Sequence, residues 1–195
     1  DRMLSVRAAE FEFAPGVIAR VGLSGEIGFE LYVEAVYFRQ IYQRLMSVGA
    51  GYGMKQFGVW ALLSLRLEKS IGIWSREFAP DYTPFMSGLD RFVDFTKEQF
   101  IGRDALLSLK ECTAEKRLVT MTVDASDVDA SGFEPIWLGQ SLVGYTTSGG
   151  YGHTVGQSIA MGYIESAAID AAAEFEIDVL GERRIAKLAP QPLYD

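Results

Sequence analysis

The chemistry of this 195-residue chain has few places to reside, because it carries one histidine and one cysteine. His153 lies in the run Ser148-Gly149-Gly150-Tyr151-Gly152-His153-Thr154. Nucleophilic catalysis would call for a Gly-x-Ser-x-Gly elbow and a carboxylate to orient the imidazole, and the run supplies neither. His153 therefore reads as a loop residue. The glycines before it lack the Lys-Ser/Thr pair and strand-to-helix context of a phosphate-cradling loop, so they predict a tight turn. Cys112 falls on a polar helix end and reads as an inert thiol. A lone cysteine rules out an internal disulfide, and with a single histidine it argues against a structural zinc site. No catalytic residue and no metal ligand is assigned.

Arg66 and Glu30 say more. Arg66 follows Val59 by seven positions and lies between Leu63 and Leu67, inside the apolar stripe of a helix. A guanidinium there needs an acidic partner, since an unpaired buried charge is costly. Glu30, flanked by Phe29 and Leu31, is a candidate for a similarly enclosed carboxylate. The two oxygens of such a group accept two parallel N–H donors, as an aminopyrimidine would offer. From pattern alone, fold-stabilising ion pairs are the favoured explanation of both residues.

The elements that would position them read as α+β. Residues 4 to 13 alternate, Pro15-Gly16 predicts a turn, and Val17 to Leu23 completes a hairpin. Phe29 to Val33 predicts a third strand. Phe38, Ile41, Tyr42 and Leu45 mark an amphipathic helix over 36–46, and a second helix is expected over 57–69. Residues 70–88 read as an ordered aromatic loop, and 103–110 as a helix. The polar run 110–116 predicts a boundary between a domain at 1–110 and another at 111–195. Beyond it, short strands at 118–123, 135–138, 142–147, 158–164, 174–180 and 184–188 predict a small antiparallel β-barrel, with turns at Gly139-Gln140 and Gly181-Glu182.

A formal charge of −8 with scattered Lys and Arg argues against nucleic acid as a partner. No apolar run is long enough to span a membrane and no signal-peptide pattern opens the chain, which predicts a cytoplasmic location without a membrane partner. The opening Asp1-Arg2-Met3 runs straight into a strand pattern and reads as a cut edge, whereas the C-terminus reads as a natural end.

Four blocks carry a resemblance that covers essentially the whole chain. Residues 20–33, with Ser24-Gly25-Glu26-Ile27-Gly28-Phe29-Glu30, resemble the "R-x-S-x-x-G-E-x-G-[YF]-E" segment of the glycine-cleavage T-protein (aminomethyltransferase) family. Leu63-Ser64-Leu65-Arg66-Leu67-Glu68 resembles its "D-S-L-R-L-E" helix, Ile101-Gly102-Arg103-Asp104-Ala105-Leu106 its "F-I-G-R-E-A-L" segment, and residues 147–156 with 192–195 its terminal barrel. Lys69, Trp74, the Asp81-Tyr82-Thr83-Pro84 loop and residues 148–155 look more like the branch fused to dimethylglycine and sarcosine dehydrogenases.

The resemblance implies the C-terminal part of a folate-binding domain, antiparallel strands plus two helices, followed by a small antiparallel β-barrel. It implies tetrahydrofolate as cofactor, with no flavin site, and a role in capturing one-carbon units from N-methyl amine or aminomethyl donors. Tetrahydrofolate would be held so that N5 and N10 meet an iminium or formaldehyde equivalent. Glu30 is implied to hold the pterin, and Arg66 and Trp74 to shape the same pocket. Three departures bear on activity. The family's catalytic-type aspartate, in a "G-x-x-x-D-D" segment, has no counterpart here; Leu62 stands where T-proteins carry arginine; Met86 replaces a usual glutamate. The expected partners are a folate and the missing N-terminal half or flavin domain of the same enzyme, with a homo-oligomer as a further expectation. The isolated chain is expected to be inactive. A non-catalytic folate-binding or regulatory protein, or a structural domain of a larger dehydrogenase, are the rival expectations.

Overall fold

The computed structural model describes residues 4–194, so the cut edge expected at residues 1–3 lies outside the described residues, as does Asp195. The chain forms two compact units, Asp1–Arg66 and Leu67–Asp195.

In the first unit, β1 (Val6–Phe11), β2 (Ala14–Ala19) and β3 (Glu30–Val33) make an antiparallel sheet in the order β1-β2-β3. The hairpin exists, but its turn is not where Pro15-Gly16 predicted. The chain reverses at Glu12, whose φ is 52°, and Phe13, while Pro15 and Gly16 sit in β2 opposite Glu10 and Ala9. Proline is tolerated at the hairpin end of a strand. Gly16 is required there by packing: a Cβ would stand 2.7 Å from the carbonyl oxygen of Tyr32 and 2.8 Å from the ring of Phe11. Arg44 of α1 (Ala35–Ala50) clamps this turn, its Nη2 lying 2.7 Å from Glu12 Oε1. Of the predicted stripe on α1, Ile41 is buried while Phe38, Tyr42 and Leu45 are exposed. The helix α2 (Val59–Glu68) runs through the division, with Leu67 and Glu68 in the second unit.

The second unit opens with an aromatic segment that contains one short helix, α3 (Pro84–Ser87). Thr83 caps it by accepting from the Met86 N–H, Pro84 occupies its first turn, and Gly88 closes it at φ 70°. This is the N-terminal proline, C-terminal glycine arrangement that a short helix favours. A 3-10 turn at Asp90–Phe92 and the helix α4 (Arg103–Lys110) follow.

A closed antiparallel barrel then forms in the order β4-β7-β6-β5-β8-β9, from β4 (Lys116–Val123), β5 (Pro135–Leu138), β6 (Ser141–Gly152), β7 (Gln157–Glu165), β8 (Glu174–Val179) and β9 (Glu182–Leu188). Alternate residues of its strands, among them Met121, Ile136, Ala160, Ile164, Ile177 and Ala186, fill one core and are sealed from solvent. Each large one contributes about 1.5–3 kcal/mol relative to remaining exposed. On the other face of β7, Ile159 and Met161 pack with Leu67.

The tight turn expected at Gly149–Gly152 is a correction. β6 runs through these glycines to Gly152, and the reversal falls after it. The glycines serve close approach instead, since a Cβ on Gly149 would lie 2.1 Å from the Ala130 carbonyl oxygen. The hairpin turns at Gly139 and Gly181 form as expected, with φ of 61° and 86°. The sequence pattern did not reveal α5 (Ser166–Ala171), six residues with no apolar stripe, which Arg117 holds through the Ser166 carbonyl at 3.2 Å and an ion pair with Asp170.

Candidate functional site

In the first unit the pterin-holding candidate, Glu30, begins β3 and pairs with Ala19. The expected enclosure is not found: Glu30 is exposed, and its carboxylate accepts a hydrogen bond from the hydroxyl of Tyr32, two residues along the same face of the strand. The carboxylate in turn pushes the Tyr32 phenol above its ordinary pKa, because ionisation would lose the hydrogen bond and set two negative charges together. Flanking apolar residues led to the expectation of burial. They failed to guarantee it because a four-residue edge strand leaves one face and one edge open to water. Arg66 behaves as its place in the apolar stripe predicts, at 1% exposure.

The second unit holds a feature that sequence reasoning missed. Two glutamates, Glu68 at the end of α2 and Glu77 in the aromatic segment, have no exposed surface. Glu68 Oε1 accepts the backbone N–H groups of Thr154 and Val155, the latter at 3.0 Å, and its carbonyl accepts from Leu193 at 3.2 Å. One residue thus ties the β6–β7 turn, through its carboxylate, and the C-terminal segment, through its backbone carbonyl, to the helix end. Glu77 accepts from Ile73 N at 2.9 Å, Thr147 Oγ1 at 2.6 Å and Ser148 Oγ at 2.5 Å. Charge-assisted bonds of this kind are roughly twice as strong as neutral ones. The only sequence signal was the Thr146-Thr147-Ser148 run inside an otherwise apolar strand, which implies a buried acceptor without saying which.

These ties fix the segment that carries Trp74. Tyr163 donates to the Glu77 carbonyl at 2.7 Å, Tyr82 stacks on Tyr163 at 3.7 Å between ring centroids, and the Tyr82 and Tyr145 hydroxyls share a hydrogen bond. Burial, and then the paired hydroxyl, raises the Tyr82 phenol, and burial likewise raises that of Tyr163, so both stay neutral. On this rigid base stands a cavity of about 390 Å³ lined by Trp74, Phe78, Pro80, Tyr82 and Leu89. Trp74 is 80% exposed at its wall, an indole face ready for stacking. Met86, where a glutamate was usual, is half-buried and uses only its backbone N–H.

The other candidates remain plain. His153 is exposed and meets the Tyr151 ring edge-on at 5.2 Å. Cys112 is exposed and donates to the Ser108 carbonyl, as a thiol at a helix end does.

Comparison with known proteins divides the chain at a later point than its two compact units do. The GCVT N-terminal domain profile matches residues 2–97, and the glycine cleavage T-protein C-terminal barrel domain profile matches residues 116–195. The chain belongs to the glycine cleavage T-protein family. Among relatives, mitochondrial dimethylglycine dehydrogenase of Mus musculus is 35% identical over 193 residues, which are 98% of this chain but 22% of that protein. An aminomethyltransferase of Desulforamulus reducens is 33% identical over 178 residues, 91% of this chain and 49% of that one. Among solved structures, the glycine cleavage system aminomethyltransferase T from Bartonella henselae superposes with a TM-score of 0.80 at 24% identity, covering 91% of this chain and 49% of that one. This T-protein family chain therefore spans about half the length of such aminomethyltransferases and about a fifth of the dehydrogenase. No helix among its described residues is long and apolar enough to cross a membrane.

Proposed function

We propose that this chain is the pterin-holding and barrel-forming part of a tetrahydrofolate-dependent one-carbon transferase, and that it works within a longer enzyme. The observation that carries the reading is Glu30. It lies in the matched family segment, on a strand edge, with its carboxylate turned by Tyr32 and open to a further donor. A carboxylate so placed accepts paired N–H donors of an aminopyrimidine, and a second wall that excludes water strengthens the pair. Tetrahydrofolate, when bound, supplies the nitrogen nucleophiles that accept the one-carbon unit. Glu30 orients it, and Arg66 and Trp74 are the further candidates. Donors of the N-methyl amine class are proposed from the dehydrogenase relative, and the acid–base group from residues outside this chain. Rate enhancement here is mainly positioning.

Calorimetry with tetrahydrofolate tests the binding step, on this chain alone and after addition of the N-terminal half of a related aminomethyltransferase. Weak binding alone, tightened by the added half and lowered at least tenfold by Glu30→Gln, is expected. Methylenetetrahydrofolate should form only in the completed assembly. Turnover by the isolated chain overturns its proposed incompleteness; binding unaffected by Glu30→Gln overturns the site.

A further inference from the structure

The barrel carries a second cavity, of about 540 Å³, where β4 runs out, β7 begins and β9 passes. Its size falls within the range of small-molecule sites, about 300–1,000 Å³. It shares no lining residue with the Trp74 cavity. Ser158, near the start of β7, lies at its floor with 1% exposure, and its Oγ has no hydrogen-bond partner among the described residues. Buried hydroxyls are nearly always satisfied, by protein, water or ligand, and leaving one unmet is unfavourable.

The walls carry one charge of each sign. Lys187 projects from β9, and Asp124 follows the end of β4 with its backbone pinned by a hydrogen bond to the Ile185 carbonyl at 2.8 Å. Lys187 pairs with Glu174 at 3.4 Å, but both side chains are more than half exposed. Exposed pairs of this kind are weak, so an incoming carboxylate competes readily for the ammonium group. Around these charges stand neutral hydrogen-bonding groups, the Gln157 amide and the hydroxyls of Thr122 and Ser126, with the Tyr151 ring as an apolar wall.

Opposite charges interspersed with neutral donors and acceptors complement a zwitterion. Its carboxylate faces Lys187, its ammonium faces Asp124, and a polar side chain meets the amide and hydroxyls. A simple anion would be opposed by Asp124 and a simple cation by Lys187. We propose that this cavity binds a free α-amino acid with a polar side chain, independently of the folate reading.

Calorimetry on the 195-residue chain decides it, with L-glutamine as the probe, its methyl ester as the cation-only control and N-acetyl-L-glutamine as the anion-only control. L-Glutamine should bind with a Kd of about 0.1–1 mM, and each control at least tenfold more weakly. Lys187→Met and Asp124→Asn should each weaken binding about tenfold, Ser158→Ala several-fold, and Lys187→Arg little. Lys187 and Asp124 are exposed, so unchanged melting temperatures should show that their variants fold. Absence of binding at about 10 mM, equal affinity for the three compounds, or indifference to both charge substitutions overturns the proposal.

Discussion

Met121, Ile136, Ile164 and Ile177 of the barrel are closed off from water, whereas Phe38, Tyr42, Leu45 and Trp60 of the first unit stand exposed on helices. Each set follows the spacing of its own element, every third or fourth residue along α1 and every second residue along the barrel strands. Closing a sheet on itself abolishes its edges and gives every inward side chain a partner within the same element set. A three-stranded sheet and two helices have no such closure. The apolar face of α1 buries Ile41 and leaves the rest bare. An amphipathic pattern thus prescribes that a face be covered, and says nothing about what covers it.

The sharpest test of this contrast is the polar anchor of the barrel unit. Glu77→Ala removes the carboxylate on which the Ile73 N–H and the Thr147 and Ser148 hydroxyls converge, and should cost about 3–5 kcal/mol in denaturant unfolding. A loss below 1 kcal/mol would show that water replaces the carboxylate. Ile177→Ala in the barrel core should cost about 2–5 kcal/mol, while Phe38→Ser on α1, where the side chain is 67% exposed, should stay within about 0.5 kcal/mol. Equal costs would break the comparison.

The exposed face should also associate. At about 25 cal/mol per Å² of apolar surface, burying a few hundred Å² favours pairing by several kcal/mol before entropic losses. Light scattering across a concentration series should show mass rising above the monomer, and Phe38→Ser with Leu45→Ser should lower it. A strict monomer at high concentration would mean that the face needs no cover.

The smallest effect concerns Glu134, half-buried in the barrel unit. Burial raises its carboxyl pKa, with the Ser131 backbone N–H pulling the other way at 2.8 Å. A raised folded-state pKa favours the fold where the group is protonated, below its ordinary value of about 4.3, and that benefit is lost as pH rises through the raised value. Glu134→Gln should therefore raise the melting temperature slightly near neutral pH and leave it unchanged in acid. The opposite pH dependence would show that the carboxylate form is the one the barrel prefers.

Much of the fold was legible because local pattern and tertiary outcome agree. The helix at Arg103–Lys110 and the strand at Pro135–Leu138 fall where spacing put them, and the turn residues Gly139 and Gly181 take the left-handed conformation that their type favours. Two glycine-rich places were misread for one reason. At Gly16 and Gly149 the missing side chain makes room for a neighbouring backbone, and sequence alone cannot distinguish that from a turn.

For the candidate site, residue type and order marked Glu30, Arg66 and Trp74 as candidates through their likeness to family motifs. Order along the chain also determined the α+β class and the six-stranded barrel. Exposure was decided elsewhere. Arg66 is buried and Glu30 is not, although both sit between apolar neighbours, and Glu68 and Glu77 are sealed in although neither lies in a pattern that demands it. Burial depends on what the rest of the chain brings up against a side chain. The buried carboxylates draw donors from residues about 70 to 90 positions away, a pairing that only the closed tertiary structure could select.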